Sequence, residues 1–202
     1  MKKLIILGAG GHGRVIADIA EKNGYGDISF LDDGTDAYKC GDYPVVGSCS
    51  DFYKYDCDFF VGIGNSEVRM TLQEQLLDAG KSVAVLIHPS AVIGKGVNIG
   101  CGSVVMAGAV INPGAVIGRG CIINTCSSVD HDCAVDDFAH ISVGAHLAGS
   151  VHIGRGTFIG IGAVVVNNTD IAENCIVGAG AAVIKNIDKK GTYTGVPAVK
   201  IK

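Results

Sequence analysis

A six-residue period runs without a gap from near Ser90 to about Asn186, and few folds can accommodate it. Written in rows of six, the central column reads Ile93, Ile99, Val105, Ile111, Ile117, Ile123, Val129, Val135, Ile141, Leu147, Ile153, Ile159, Val165, Ile171, Val177 and Val183. All are aliphatic. The column two residues earlier, from Ala91 and Val97 through Cys175 and Ala181, holds only small side chains. Two inward columns spaced by two residues put a short strand in every row. Three residues after each aliphatic stands a column with nine Gly and three Asn, residues that accept φ > 0 at little steric cost. Each row is thus a strand followed by a corner, and such rows stack into a parallel β-helix of hexapeptide repeats. An α-helix is excluded, because a period of six does not match 3.6 and so much glycine would be prohibitive. With three rows per triangular coil, residues eighteen apart stack on one another, and the rows make about five coils, roughly 25 Å tall at about 4.8 Å per layer.

Residues 1–87 read differently, with more charge and with strand and helix periods in alternation. Strands are expected at Leu4 to Gly8, Ile28 to Leu31, Asp58 to Gly64 and Val83 to Ile87, and helices at Gly13 to Asn23 and Glu67 to Ala79. The result is a small Rossmann-like parallel βαβ sheet. His88-Pro89 marks the boundary with a second domain over residues 88–202, since the residue before proline is driven to extended geometry. In the first domain Gly8, Gly10 and Gly13 form GxGxxG between a strand and a helix, and Asp32 and Asp33 close the second strand. That context fits nucleotide binding: glycines let a phosphate approach the backbone, and a helix N-terminus supplies N–H groups. A nicotinamide enzyme is the rival reading, but no second mononucleotide half or hydride-transfer domain follows. Gly64 and Asn65, at the same edge of the sheet, join the pocket or form a strand-to-helix turn with Asn or Ser as the cap.

The net charge of −4 and the absence of any Lys/Arg run argue against nucleic acid or an anionic membrane as partner. The apolar run at the N-terminus is too short for a secretory h-region, and nothing approaches the length of a membrane span. Eight cysteines contain no CxxC pair, and Cys121, Cys133 and Cys175 fall in the small inward column. They read as small buried hydrophobes, and free thiols in this number fit a cytoplasmic location.

Four rows lack Gly or Asn at the corner, carrying Cys126, Asp132, Phe138 and Ser150 instead. Breaks in an otherwise regular pattern tend to mark functional sites. His131 lies in this stretch beside Asp132, and stacking by eighteen puts Gly149 on one side and Pro113 on the other, so little bulk crowds the imidazole. An imidazole beside a carboxylate is the equipment of a general base; the bland alternative is a solvated corner residue. A metal site is disfavoured, because His140, His146 and His152 recur every six residues and so point from three successive faces. His146 and His152 read as surface or interface histidines.

The motifs GAGGHG, LDD, IGN, NTCSSVDHDC, HISVGAHLAG and GVPA together resemble the NeuD/PglD-like sugar acetyltransferases over the whole chain. The resemblance implies a left-handed β-helix, a homotrimer with active sites between subunits, and acetyl-CoA-dependent N-acetylation of a nucleotide-linked aminosugar. It implies His131 as base, Asp132 as the acid that raises its basicity, and Asn124 in the active site. His140, Ile161 and Ala179 would contact acetyl-CoA, with Gly149 nearby, and Gly10, Gly11, His12, Asp32, Asp33, Gly64 and Asn65 would hold the nucleotide. Asp132 departs from the usual Glu, which opens the question of its reach. Outward Val104, Val110 and Val116 are expected to serve the trimer, and the tail after Lys185 to fold back on the coil. Sugar O-acetylation and a non-catalytic nucleotide-sugar-binding trimer are the alternatives.

Overall fold

The inward columns form a solenoid in the computed structural model, which describes residues 1–34 and 38–202. The chain divides into two units, Met1–Ile87 and His88–Lys202.

In the first unit, strand β1 (Lys2–Leu7) lies between β2 (Tyr25–Leu31) and β5 (Asp58–Val61), and β6 (Ser82–Val83) completes a four-stranded sheet. All neighbours are parallel. The two crossovers are α1 (Gly11–Lys22) and α2 (Ser66–Asp78). The run Leu4–Leu7 is fully buried, as expected of a central parallel strand covered on both faces. The stretch from Val83 to Ile87 is two short strands rather than one: Ala84 N makes a last bond to Phe59 O (2.9 Å), after which the chain leaves this sheet. A short antiparallel pair, β3 (Lys39–Cys40) with β4 (Tyr43–Pro44), and a 3₁₀ turn at Cys49–Lys54 fill the long connection between β2 and β5.

In the second unit the repeat builds three parallel sheets, one per face. Face 1 stacks Val92–Ile93, Val110–Ile111, Ser128–Val129, His146–Leu147, Val164–Val165 and Ala182–Val183. Face 2 stacks Asn98–Ile99, Val116–Ile117, Ala134–Val135, His152–Ile153 and Asp170–Ile171. Face 3 stacks Val104–Val105, Ile122–Ile123, His140–Ile141, Phe158–Ile159 and Ile176–Val177. The register is eighteen residues throughout, as in Ile111 opposite Val129. The aliphatic column is buried from Val105 to Val183; only Ile93 and Ile99, in the lowest coil, are not.

Inward hydroxyls are satisfied by a repeated local device. Ser103 Oγ donates to Gly118 O (2.7 Å) and accepts from Cys121 N (2.8 Å). Thr157 Oγ1 does the same with Ala172 O (2.8 Å) and Cys175 N (3.0 Å). A small polar side chain can therefore occupy the core without an unpaired group. Cys121, Cys133 and Cys175 are buried in the same column, and all eight cysteines are free thiols. The tail folds back as expected: Thr192–Thr194 continues face 3 beside Ile176–Val177, and Val199–Lys200 returns antiparallel to it.

The coils pack so closely that some glycines leave no room for a methyl group. A Cβ on Gly154 would lie 2.5 Å from Glu173 N and 2.7 Å from Ala172 C, both backbone of the next coil. Gly154→Ala is expected to cost about 1–3 kcal/mol through overpacking, read as a lower denaturation midpoint. Among the described residues no helix is long and apolar enough to cross a membrane.

Candidate active site

Fifteen of the sixteen corner residues have positive φ, Asn186 at the end being the exception. The set includes Cys126 (54°), Asp132 (58°), Phe138 (62°) and Ser150 (56°). A left-handed backbone costs a non-glycine residue about 1–2 kcal/mol, so four such corners in succession but for Gly144 concentrate strain in one region.

His131 and Asp132 sit on the corner between faces 1 and 2. His131 Nδ1 and Asp132 Oδ2 are 2.9 Å apart, so the shorter acid does reach the ring. The hydrogen bond to Asp132 is the main reason the imidazole pKa lies above its ordinary 6.5, with Asp130 and Asp132 charges adding to it. Binding Nδ1 in this way leaves Nε2 as the proton-accepting nitrogen. Pro113 and Gly149 occupy the stacked positions below and above. A Cβ on Gly149 would lie 2.6 Å from both His131 Cε1 and Nε2, so the ring occupies the space that glycine leaves.

Asn124 and His140 lie elsewhere on the same solenoid. Both belong to face 3, opposite the corner that carries His131, and Asn124 Nδ2 is 3.0 Å from His140 Nε2. Phe158 packs edge-on against the His140 ring at 5.0 Å. Ile161 and Ala179 are exposed and stack at the corner between faces 3 and 1. One chain thus makes two groups, His131 with Asp132 and Gly149, and Asn124 with His140 near Ile161 and Ala179. Gly149 goes with the histidine corner, away from the other three residues expected along the coenzyme.

The glycine loop of the first unit separates into two kinds of position. Gly13 is structural: a Cβ there would run into Gly8 O and lie 3.1 Å from Phe30 Cε1. Gly10, the N-cap of α1, and Gly64 would meet nothing within 4 Å, and Gly11 is nearly as open. These three face free space at the N-termini of the two crossover helices. The acids are tied to the loops: Asp32 Oδ2 accepts from Ala9 N (2.7 Å) and Oδ1 from Gly34 N (2.7 Å), while Asp33 Oδ1 accepts from Cys49 N (2.8 Å). Asn65 caps α2 by accepting from Val68 N (3.0 Å). Burial, and then the Arg69 charge, hold the His12 pKa down to about 4, so the ring is neutral at physiological pH.

Sequence reasoning passed over Arg69, Asn112 and Asp130. Arg69 is buried and donates from Nη1 to Ile63 O (3.0 Å) and Gly64 O (2.8 Å), fixing the IGN turn. Its position four residues after the Asn65 cap was the available signal. Asn112 and Asp130 are exactly one coil apart, a spacing that stacking by eighteen exposes. Val104, expected to face a partner, is buried within the chain, and Val104, Val110 and Val116 fall on three different faces. Face 1 instead presents exposed Val92, Val164, Val166 and Ile184. His140, His146 and His152 are on separate faces, and among the described residues no three His, Cys, Asp or Glu side chains are grouped to hold a metal ion.

A six-residue-repeat β-helix bearing a carboxylate-bound histidine on one corner, preceded in the sequence by a parallel sheet with an open glycine loop, puts the chain among the hexapeptide-repeat acyltransferases. The PglD N-terminal domain family matches residues 3–76. The acetyltransferase domain of PglB from Neisseria gonorrhoeae FA1090 is 40% identical, with a TM-score of 0.96 and coverage of 100% of both chains. PerB from Caulobacter crescentus, in complex with CoA and GDP-perosamine, is 33% identical with a TM-score of 0.93, over 100% of this chain and 98% of that one. The UDP-N-acetylbacillosamine N-acetyltransferase of Bacillus subtilis (strain 168) is 37% identical over 106 residues, 50% of this chain and 49% of that protein. The chain thus aligns with about half the length of this curated relative. It belongs to the PglD-like sugar N-acetyltransferase family.

Proposed function

We propose that the protein transfers the acetyl group of acetyl-CoA to the amine of a nucleotide-linked aminosugar. The observation that carries this reading is His131, exposed on its corner, with Nδ1 bound to Asp132 and Nε2 left to take a proton. The amine attacks the thioester carbonyl, His131 Nε2 takes the amine proton, and the C–S bond breaks as the thiolate leaves and takes that proton from the imidazolium. No covalent enzyme intermediate is needed.

The residues present suit both substrates. Gly10, Gly11 and Gly64 leave open backbone for a diphosphate at the helix N-termini. His12, Asp32, Asp33 and Asn65 would complete the nucleotide end. Acetyl-CoA would lie along exposed Ile161 and Ala179, beside the His140 ring that Asn124 and Phe158 orient. Because His131 and the Asn124–His140 pair are on opposite sides of one solenoid, a site that uses all three is completed by a neighbouring copy. The apolar outer residues of face 1 suit such packing, and we read the assembly as a homotrimer working in the cytoplasm.

The test is free-thiol release from acetyl-CoA with UDP-, GDP- and dTDP-linked aminosugars, alongside the matching hydroxyl sugars. Amine-dependent release is the expected result, and the best substrate identifies nucleotide and sugar. Equal turnover of hydroxyl-only sugars would replace the reading with O-acetylation, and no turnover on any of them would leave a binding role.

A further inference from the structure

We propose that His146 builds a metal site from three copies of the chain: on the threefold axis of the assembly, three imidazoles, each oriented by Ser128 of its own chain, hold a zinc-type divalent cation through their Nε2 atoms. The inference rests on the homotrimer reading given above.

The two corners locate the axis. His131 stands on the corner between faces 1 and 2, and Ile161 and Ala179 on the corner between faces 3 and 1, so the corners that meet across neighbouring copies are the two edges of face 1. Position 131 falls between 124 and 140, within one coil of both, so corner meets corner at one height and the ring closes by rotation alone. Three triangular solenoids joined at those edges turn face 1 inward; with face 1 outward their bodies would occupy the same space. A side of six residues spans roughly 20 Å at about 3.3 Å per residue, and three such sides enclose an axis about 6 Å from each backbone, within reach of an imidazole.

The outward side chain at the middle of each face 1 strand points toward that axis. From the bottom these are Val92, Val110, Ser128, His146, Val164 and Ala182. His146 is the one imidazole in this small and apolar column, and it is exposed in the single chain. Ser128 Oγ, one coil below, lies 2.8 Å from its Nδ1. Among the described residues Nε2 has no partner. The polar pair at the edge of the same face is satisfied within the chain, Asn112 Nδ2 donating to Asp130 Oδ1 (2.6 Å). With Nδ1–H donating to Ser128 Oγ, the lone pair of His146 lies on Nε2, the tautomer that ligates a metal, and the hydroxyl fixes the ring's orientation. Three such nitrogens and a water make the four-coordinate set that zinc takes. The cation stands apart from the His131 corner and takes no part in acetyl transfer; it pins together the copies that complete the site.

The experiment titrates untagged, EDTA-stripped protein with zinc by calorimetry, with the mass set by light scattering, for wild type, H146A and S128A. The expected result is a trimer that binds one zinc per three chains and melts at a higher temperature with zinc present. H146A is expected to remain a trimer and lose both effects, and S128A to bind about tenfold to hundredfold more weakly. Should H146A fail to assemble, H146Q, which keeps the bulk of the side chain without the imidazole, is expected to give a trimer that binds no zinc. A wild-type trimer that binds no zinc, or zinc bound as well by the H146A or H146Q trimer, overturns the metal site. A monomeric wild type overturns the homotrimer reading and the site with it, and the measured mass tells the two failures apart.

Discussion

His131→Ala is expected to lower kcat about 10²–10⁴-fold, the usual contribution of a positioned general base, with nucleotide-sugar binding retained. The imidazole stands exposed on its corner, outside the buried inward columns. Its removal should therefore leave stability within about 0.5 kcal/mol of wild type. The glycine loop that would hold the nucleotide belongs to a separate unit with its own sheet, so truncating the corner leaves it intact. Thiol release under saturating substrates measures kcat, and calorimetry with the nucleotide sugar alone measures binding. A variant with wild-type turnover would make His131 an ornament of the corner and return the protein to the binding-only reading.

Gly149→Ala should cost about 10²-fold in turnover although it adds only a methyl group. That group would stand 2.6 Å from Cε1 and Nε2 of His131, and the ring must swing away from the position Asp132 holds it in. Gly149 does not have positive φ, so alanine suits the backbone and the effect falls on the imidazole. The expected pattern is a large fall in kcat, a small change in melting temperature, and a histidine titration shifted toward its ordinary value as the Asp132 bond lengthens. Unchanged kcat would show that the ring works equally well in another rotamer, and the geometry of the corner would lose its claim to catalysis.

The solenoid was legible because its rule is local and repeats: the aliphatic column gave each strand from Val92–Ile93 to Ala182–Val183, and the nine Gly and three Asn gave twelve of the sixteen corners. What composition alone concealed is that Cys126, Asp132, Phe138 and Ser150 keep the same left-handed backbone. The neighbours on each side impose the corner, and the side chain follows. Pairing by eighteen made Pro113 and Gly149 legible as neighbours of His131. Asn112 and Asp130 obey the same arithmetic, but a hydrogen bond between them depends on side-chain rotamers. The outward valines misled for a related reason: three consecutive rows are three different faces, so Val104, Val110 and Val116 never formed one surface. In the first unit the glycine spacing located the loop, while Arg69 escaped notice because a buried guanidinium bound to two carbonyls has no sequence pattern beyond its distance from the helix cap.

The eighteen-residue register also limits how the length of this chain can change over evolutionary time. Duplicating or deleting one whole coil lengthens or shortens the column and leaves every side chain facing the same way. Gaining or losing a single row between Asn124 and His140 would rotate everything above it by one face, and the pair would part. Adding one residue would turn the aliphatic column outward for the rest of the climb. Homologues of different length should therefore differ, between Asn112 and Ala179, in steps of eighteen, with the irregular insertions confined to loops that leave a corner and return to it.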